Sequence, residues 1–253
     1  MPVEVPNQIA LQRLGNSSPK QQAIGAMVLI AFYYLLQVGE YTYHRPSEKF
    51  RIQQFRVCNI TFWCNTTKLD INSDQTWLMQ HATAATLNIS NQKNGIRAQT
   101  IHQEAINSHL CPVKALIRRV KHILEHTNDK TTMISTYFVK GQGKKSLTGR
   151  DMNKAIRDAV DSLKLYKHGL SRRVVSSHSL RSGGAMALHL NGISDNTIKK
   201  LGRWSSDTFL MYIHEQIAAF SSGISQQMSK NIEFQNIGFQ PMVTTPNLIA
   251  PAV

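Results

Sequence analysis

Four residues near the C-terminal end of the chain have the types and spacing needed to act on a phosphodiester. The stretch from Ser176 to Glu215 contains His178 and Arg181, three positions apart, followed by Trp204 and Tyr212. An arginine can hold two phosphate oxygens at once, and a histidine and an indole N–H can donate to the same group. A tyrosine hydroxyl can attack the phosphorus. The set therefore indicates chemistry on a phosphate ester.

Residues with capping preferences predict that three short helices carry this set. The candidate caps, in chain order, are Ser176 or Ser177, Gly192, Ser194, and Ser206 or Asp207. They define one helix that begins near His178, a second that ends near Gly202, and a third that carries Tyr212. Because a helix N-terminus favours anions, the first helix is predicted to present His178 and Arg181 to a phosphate. The alternative is three ordinary core helices with a buried tryptophan and an exposed tyrosine.

Three sequence fragments resemble the catalytic signature of the tyrosine recombinase (phage-integrase-like) family. They read H-S-L-R-S-G, G-R-W-S-S-D and M-Y-I-H, in the family's order and at family-like spacing. The tryptophan, where many members carry histidine, is similar to members from eukaryotic mobile elements. The resemblance implies that Tyr212 attacks a scissile DNA phosphate and stores its energy in a phosphotyrosine link. It also implies that His178, Arg181 and Trp204 stabilise the charge on that phosphate.

A fourth fragment, L-L-Q-V-G-E-Y-T from Leu35 to Thr42, resembles the family's first catalytic motif, which normally reads Leu-Arg-x-x-Glu. Glu40 matches the acidic member and is expected to support the site structurally. Gln37 stands where the first catalytic arginine belongs, although in isolation it is only a polar residue at a helix end. Losing one charged donor lowers a rate by about 10²–10³-fold. Gln37 therefore predicts impaired cleavage, unless Arg45 further along the chain substitutes.

A β-hairpin is predicted in the middle of the chain. Strands are predicted at Ala84–Ser90 and Ile96–His102, and the Asn94-Gly95 pair between them is a hairpin turn signal. Lys93 lies directly before that turn. In the family, a lysine on this hairpin protonates the leaving 5′ oxygen, so the resemblance implies that role for Lys93. The alternative is a solvated turn lysine.

The chain carries a large excess of positive charge. Its 29 Lys and Arg residues outnumber 15 Asp and Glu residues, which gives a formal net charge of +14. Such an excess indicates a polyanionic partner, with nucleic acid as the first candidate and an anionic membrane as the second. A merely soluble basic protein is the alternative. The residues predicted to bind DNA are Lys167, Arg172 and Arg173, in a basic loop before the histidine helix, and Arg203.

The resemblance also defines the expected partners. It implies double-stranded DNA as substrate and self-association on DNA, with no membrane, small-molecule substrate or cofactor, because a covalent nucleophile and charged side chains carry the reaction. His122 and His126 are four positions apart and could hold a metal, but the sequence shows no third ligand. A metal-dependent nuclease is disfavoured, because it needs clustered carboxylates that the sequence does not have.

Cysteine usage and hydropathy indicate an intracellular protein. Cys58, Cys64 and Cys111 form no CxxC pair and no even framework, which is typical of reduced thiols. The N-terminal residues lack a signal-peptide core, and the longest apolar run, Ala23 to Leu36, is too short to span a bilayer. We therefore expect an intracellular location, and a nuclear one if the source is a eukaryote.

The expected fold is α+β: a mostly helical, recombinase-like catalytic domain with a small antiparallel sheet. This domain is expected over residues 18–230, after a loose lead-in (1–17) and before a flexible tail (231–253). Because so little chain precedes the first predicted helix, the family's N-terminal core-binding domain is expected to be absent. The other predicted elements are a helix from Pro19 to about Val38 or Gly39, a strand from Phe55 to Cys64, a helix from Pro112 to about His126, and a helix that is capped by Thr148 and ends near Leu163.

Two functions follow from these residues. The first is cleavage and rejoining of DNA through a phosphotyrosine intermediate, as in DNA recombination or integration. The second is a DNA-binding module, derived from a mobile-element integrase, that has lost catalysis. Gln37 and the expected absence of the core-binding domain favour the second function, whereas the complete set of motifs around Tyr212 favours the first.

Overall fold

The computed structural model describes residues 1–13, 17–44, 52–91, 97–207 and 210. Over these ranges the chain forms eight α-helices and six β-strands. The helices are α1 (Glu4–Leu11), α2 (Pro19–Tyr33), α3 (Val38–Tyr41), α4 (Gln75–His81), α5 (Pro112–Leu124), α6 (Gly149–Ser162), α7 (His178–Leu190) and α8 (Asp195–Gly202). The strands are β1 (Ile60–Cys64), β2 (Thr67–Lys68), β3 (Ala84–Asn91), β4 (Arg97–Glu104), β5 (Thr136–Val139) and β6 (Gly143–Ser146).

Helix α2 runs through the core. The Ser18 side chain accepts a hydrogen bond from the Gln21 backbone N–H at 3.4 Å, and a proline occupies the first turn, so the helix begins where the sequence predicts. Every residue from Ala23 to Phe32 is buried, and the helix packs against α1, α5, α6 and α7. It ends at Tyr33, so the prediction of a helix that continues to Val38 or Gly39 is wrong.

A left-handed turn causes this early end. Leu35 has a φ of +49°, a conformation that side chains with a Cβ rarely adopt because it crowds the following carbonyl. The turn redirects the chain into α3, whose N-cap residue is Gln37. The backbone strain at Leu35 is offset by hydrogen bonds that its carbonyl oxygen accepts from Arg181 and Arg203.

Helix α1 covers one side of α2. Val5 and Ile9, one helical turn apart, are fully buried. Gly25 of α2 permits a close approach, because a Cβ at this position would lie 3.5 Å from the Cα of Ala10 in α1 and 3.1 Å from the Cβ of Arg13, just after α1. The prediction of a loose lead-in is therefore wrong for Glu4–Leu11. Proline and polar residues obscured a short apolar stripe that packs on α2.

A four-stranded antiparallel sheet has the strand order β2-β1-β3-β4. Strands β3 and β4 pair with Leu87 opposite Ile101, which confirms the two predicted strands of the hairpin. The turn between them lies outside the described residues. The strand predicted from Phe55 begins only at Ile60, because Val57–Asn59 form a 3-10 turn whose first N–H groups bond to the loop before β5 instead.

The remaining helices and a second, two-stranded sheet complete the fold. Helix α5 begins at Pro112 as predicted, and α6 follows Thr148, whose hydroxyl accepts a hydrogen bond from the Asp151 N–H at 3.4 Å. Strand β6 pairs with β5 and was not predicted, because its sequence G-K-K-S has no apolar alternation. The α+β fold class, mostly helical with a small antiparallel sheet, is confirmed. None of the helices in the described ranges is long and apolar enough to cross a membrane.

Candidate active site

Helix α7 begins at His178, as the caps predict, and two neighbouring elements hold its first turn in place. The Ser177 backbone N–H donates to Oδ1 of Asn153 in α6 at 2.6 Å. The buried Tyr41 hydroxyl, at the end of α3, donates to the Ser177 carbonyl at 3.3 Å. Because α3 and α6 both contact this turn, the positions of His178 and of the residues that follow it depend on tertiary packing as well as on capping.

Arg181 joins three segments of the chain at one point. Its guanidinium is buried and donates from Nη1 to the Leu35 carbonyl and from Nη2 to the Gly202 carbonyl. Its Cζ lies 4.3 Å from the centroid of the Trp204 ring, in cation–π contact. The structure therefore brings together two of the residues predicted to bind the phosphate, Arg181 and Trp204, and fixes the arginine before any ligand binds.

The backbone around Gly202 determines where Trp204 lies. A Cβ at Gly202 would overlap the Trp204 ring, so only glycine fits there. Arg203, between them, has a φ of +59° and ends α8 in the left-handed conformation. The L-G-R-W sequence therefore turns sharply enough to place the indole against Arg181. The Ser194 hydroxyl caps α8 by accepting from the Thr197 N–H at 3.4 Å, as predicted.

Glu40 links α3 to the turn after α8. Its carboxylate is buried, and Oε2 accepts a hydrogen bond from the Gln37 backbone N–H at 2.7 Å and another from Nη2 of Arg203 at 2.9 Å. The same Arg203 nitrogen donates to the Leu35 carbonyl at 3.2 Å. Gln37 is half-buried beside this pair. The geometry is compatible with the supporting role predicted for Glu40.

The four residues predicted to bind DNA divide into two groups. Lys167, Arg172 and Arg173 are exposed in the loop before α7. Arg172 is ion-paired on the surface with Asp158 and Asp161 of α6, at 3.2 Å and 2.6 Å.

Arg203 forms the second group by itself, because its side chain is only 1% exposed and is paired with Glu40. Unlike the first three residues, Arg203 is therefore directed into the protein, and its predicted contact with DNA stays a prediction. The turn after α8 directs this side chain inward.

The His178 imidazole lies at the exposed start of α7, one turn before Arg181. Partial desolvation of the ring, followed by the positive charge of Arg181, lowers the pKa of His178 below its ordinary value. This shift favours the neutral ring in the free protein, in which one nitrogen is a hydrogen-bond donor and the other an acceptor.

Two residues of the predicted set cannot be placed relative to this site. Lys93, in the hairpin turn, and Tyr212, after α8, lie outside the described residues, and so does Arg45. Their roles remain predictions from the sequence motifs.

The two histidines considered as metal ligands lie in the last turn of α5 and just after it. The structure adds Glu125, and ligand atoms of His122, Glu125 and His126 lie within 4.8 Å of one another. However, Nε2 of His122 already accepts a hydrogen bond from the Phe138 N–H at 3.1 Å. Burial, then the charge of the nearby Arg119, lowers the pKa of His122 to about 4. A basic neighbour and an engaged ring nitrogen both disfavour a bound cation here.

Comparison with solved structures identifies the fold. The chain superposes on a XerH site-specific recombinase bound to palindromic difH substrate, a post-cleavage complex, with a TM-score of 0.56 and 15% identity over 90% of this chain. A pre-cleavage complex of XerH bound to difH substrate gives a TM-score of 0.55 and 14% identity, also over 90%. The fold is that of a tyrosine recombinase. This confirms the fold that the motifs around Arg181 and Trp204 implied.

The similarity to these solved structures covers only part of their length and is low in sequence identity. The chain spans about half the length of these solved structures, 53% of one and 50% of the other. No protein-family model matches the chain, and no curated protein matches it either. Similarity to eukaryotic mobile elements therefore stays a prediction.

The sequence did not reveal two parts of this site. One is the Leu35 carbonyl, which accepts hydrogen bonds from both buried arginines. The other is the ion pair of Arg203 with Glu40, whose residues are 163 positions apart. The only local signal was the arginine directly before the motif tryptophan in G-R-W, and it did not indicate an inward orientation.

Proposed function

We propose that this protein binds double-stranded DNA and breaks and rejoins a DNA strand through a phosphotyrosine intermediate. The observation that carries the proposal is the position of Arg181, whose guanidinium is held by the Leu35 and Gly202 carbonyls and stacked on Trp204. A preorganised guanidinium at the start of a helix favours a phosphate whose negative charge increases during reaction. The superposed XerH chains are described as site-specific recombinases bound to their substrate, which supports the same class of reaction here.

The proposed reaction exchanges one phosphate ester for another. The Tyr212 hydroxyl loses its proton to solvent and its oxygen attacks the scissile phosphorus. The bond from phosphorus to the 5′ oxygen breaks, and Lys93 gives a proton to that leaving oxygen. Rejoining is the reverse of these steps with a new 5′ hydroxyl. Arg181, His178 and Trp204 donate hydrogen bonds to the phosphate oxygens. A side chain fills each role, so the proposal requires no metal or organic cofactor.

The proposal extends to the setting of the reaction. We propose that copies of the chain associate on DNA, since strand exchange joins two cleaved ends, and that the protein acts inside the cell, in the nucleus if the source is a eukaryote. A DNA-binding module without catalysis is the second candidate function. It is favoured by Gln37, which brings no charge to a position where the family's motif has an arginine.

Covalent trapping tests the proposal. The substrate is a pool of nicked duplexes of randomised sequence, in which cleavage beside the nick releases a short fragment and leaves the protein attached. We expect an adduct that is stable in a denaturing gel with the parent chain and none with Tyr212→Phe, which removes the nucleophile and keeps the ring. Tyr166→Phe, an exposed tyrosine in the basic loop, is the matched control and should form the adduct normally.

Two other outcomes would change the conclusion. An adduct that survives Tyr212→Phe would show that another tyrosine is the nucleophile. If the parent chain binds the pool and forms no adduct, the binding module becomes the better description.

A further inference from the structure

Two buried arginines lie close together in the candidate site. Arg181 and Arg203 both donate to the carbonyl oxygen of Leu35, so one acceptor atom holds two guanidinium groups. Like charges in a medium of low polarity repel each other, and Glu40 offsets this repulsion by pairing with Arg203. An anion bound beside the two guanidiniums would reduce the repulsion further.

Two of the three guanidinium nitrogens of Arg203 make no hydrogen bond to the described residues. Its Nη2 group is used twice, by Glu40 and by Leu35, whereas Nε and Nη1 are buried and have no hydrogen-bond partner among the described residues. A buried donor without an acceptor is costly, and native proteins tolerate few of them. Unused donors on a charged, buried side chain indicate a site for an acceptor of negative charge.

The guanidinium of Arg203 lies next to residue 37. Oε2 of Glu40 accepts from the Gln37 backbone N–H at 2.7 Å and from Nη2 of Arg203 at 2.9 Å, so a single oxygen atom separates the two groups. A cavity of about 290 Å³ lies beside Arg203 and Trp204, and its wall also includes Lys199, Lys200 and Gln99 of β4. The surroundings are therefore basic as well as rich in donors.

We propose that Arg203 is the second phosphate-binding guanidinium of this site and replaces the arginine that position 37 lacks. The Arg203 side chain belongs to the turn after α8, whereas residue 37 belongs to the turn after α2. Glu40 orients it through Nη2, which leaves Nε and Nη1 for oxygens of the phosphate. The ligand is a phosphate group, which in the proposed function is the scissile phosphodiester of DNA. The proposal rests on that function for its role in cleavage but not for the binding itself.

Binding of inorganic phosphate tests the assignment without any cleavage. The affinity is measured by the shift in melting temperature as phosphate replaces chloride at constant ionic strength. The parent chain should show a saturable increase. In Glu40→Gln the amide still accepts a hydrogen bond from the Gln37 N–H but carries no charge, so Arg203 loses its competing anion. We expect this variant to bind phosphate about 5-fold more tightly or better.

A double variant removes both charges of the pair. Glu40→Gln with Arg203→Met leaves no buried ion without a partner and does not change the net charge of the chain, so a general loss of attraction cannot explain its behaviour. We expect it to lose most of the increase in melting temperature that phosphate produces. Lys68→Gln, at an exposed position of β2, should keep that increase although it loses a charge.

A single variant covers the case in which the double variant does not fold. Arg203→Lys keeps a charge opposite Glu40 but loses the planar set of donors, and it should bind phosphate about 5-fold more weakly. Phosphate binding that is unchanged in the double variant or in Arg203→Lys, or that does not tighten in Glu40→Gln, would overturn the assignment. Binding that depends on Arg203 in a chain that forms no DNA adduct would instead reject the proposed cleavage and leave the phosphate site in place.

Discussion

At position 37 an amide stands where the resemblance of L-L-Q-V-G-E-Y-T to a recombinase motif predicts a guanidinium. The Gln37 amide can donate hydrogen bonds to a phosphate, but it adds no charge to stabilise the transition state. If Arg203 already supplies that charge, Gln37→Arg should change the rate of adduct formation by less than about 10-fold. Single-turnover cleavage of a nicked suicide duplex, beside DNA affinity from fluorescence anisotropy, measures this. Gln37→Lys is the control that adds the same charge without the planar donors.

A much larger effect of Gln37→Arg on the cleavage rate would support the opposite conclusion. An increase of about 10²-fold or more in Gln37→Arg, with DNA affinity nearly unchanged, would show that residue 37 limits catalysis and that Arg203 does not fill the role.

The orientation of Arg203 also shows which parts of the site could be predicted from the sequence and which could not. The histidine, arginine and tryptophan of the motifs were predicted because their types, order and spacing form a linear pattern. The inward orientation of Arg203 was not predicted, because it depends on the left-handed turn after α8 and on Glu40, 163 positions earlier in the chain. A motif predicts which side chains take part, whereas packing decides which ones can reach the ligand.

At the scale of elements, the contact between α2 and α7 positions Arg181. Gly184 lies one turn after Arg181, and a Cβ there would lie 2.5 Å from the Phe32 carbonyl oxygen and from the Leu35 side chain. Gly184→Ala should therefore force the helices apart and lower the free energy of unfolding by about 1–3 kcal/mol, as measured by urea denaturation. The same change should weaken phosphate binding, because it moves Arg181 relative to the Leu35 carbonyl.

A variant at an exposed position of the same helix serves as the control for Gly184→Ala. Leu190 is 71% exposed at the end of α7, so Leu190→Ala should change stability by no more than about 0.5 kcal/mol. In a helix without close neighbours, alanine in place of glycine stabilises by about 0.5–1 kcal/mol. A stabilised Gly184→Ala variant would show that α7 has room for a methyl group next to Phe32 and Leu35.

The elements differ in how far local sequence predicts them. Helices α5, α6, α7 and α8 begin where their caps or prolines predict, because these signals act within one turn. The end of α2 was not predicted, because it depends on the left-handed conformation of Leu35, whose carbonyl is bound by two buried arginines far away in sequence. Helix α1 was missed for a similar reason: its apolar residues are few, and they are buried by packing against other helices, mainly α2.

At the scale of the molecule, the formal net charge of +14 predicts DNA binding that weakens steeply with salt. The net charge attracts DNA without depending on any one residue, whereas each direct contact between a basic side chain and a phosphate releases counterions from that phosphate. The loop before α7 offers a way to distinguish these effects, because two adjacent arginines there carry the same charge in different surroundings. Arg172 is bound by Asp158 and Asp161 on the surface, whereas Arg173 is exposed and no ion pair holds it among the described residues.

We therefore expect Arg173→Gln and Arg172→Gln to differ in their salt dependence, although each removes one positive charge. If Arg173 contacts a phosphate, Arg173→Gln should make the slope of log K against log salt less negative by about 0.9. Arg172→Gln should change the slope by less, because Asp158 and Asp161 already compensate the arginine that is removed. Fluorescence anisotropy with a duplex of unrelated sequence, over a series of salt concentrations, measures both slopes. Equal changes in the two variants would mean that the loop acts through total charge and that Arg173 makes no phosphate contact of its own.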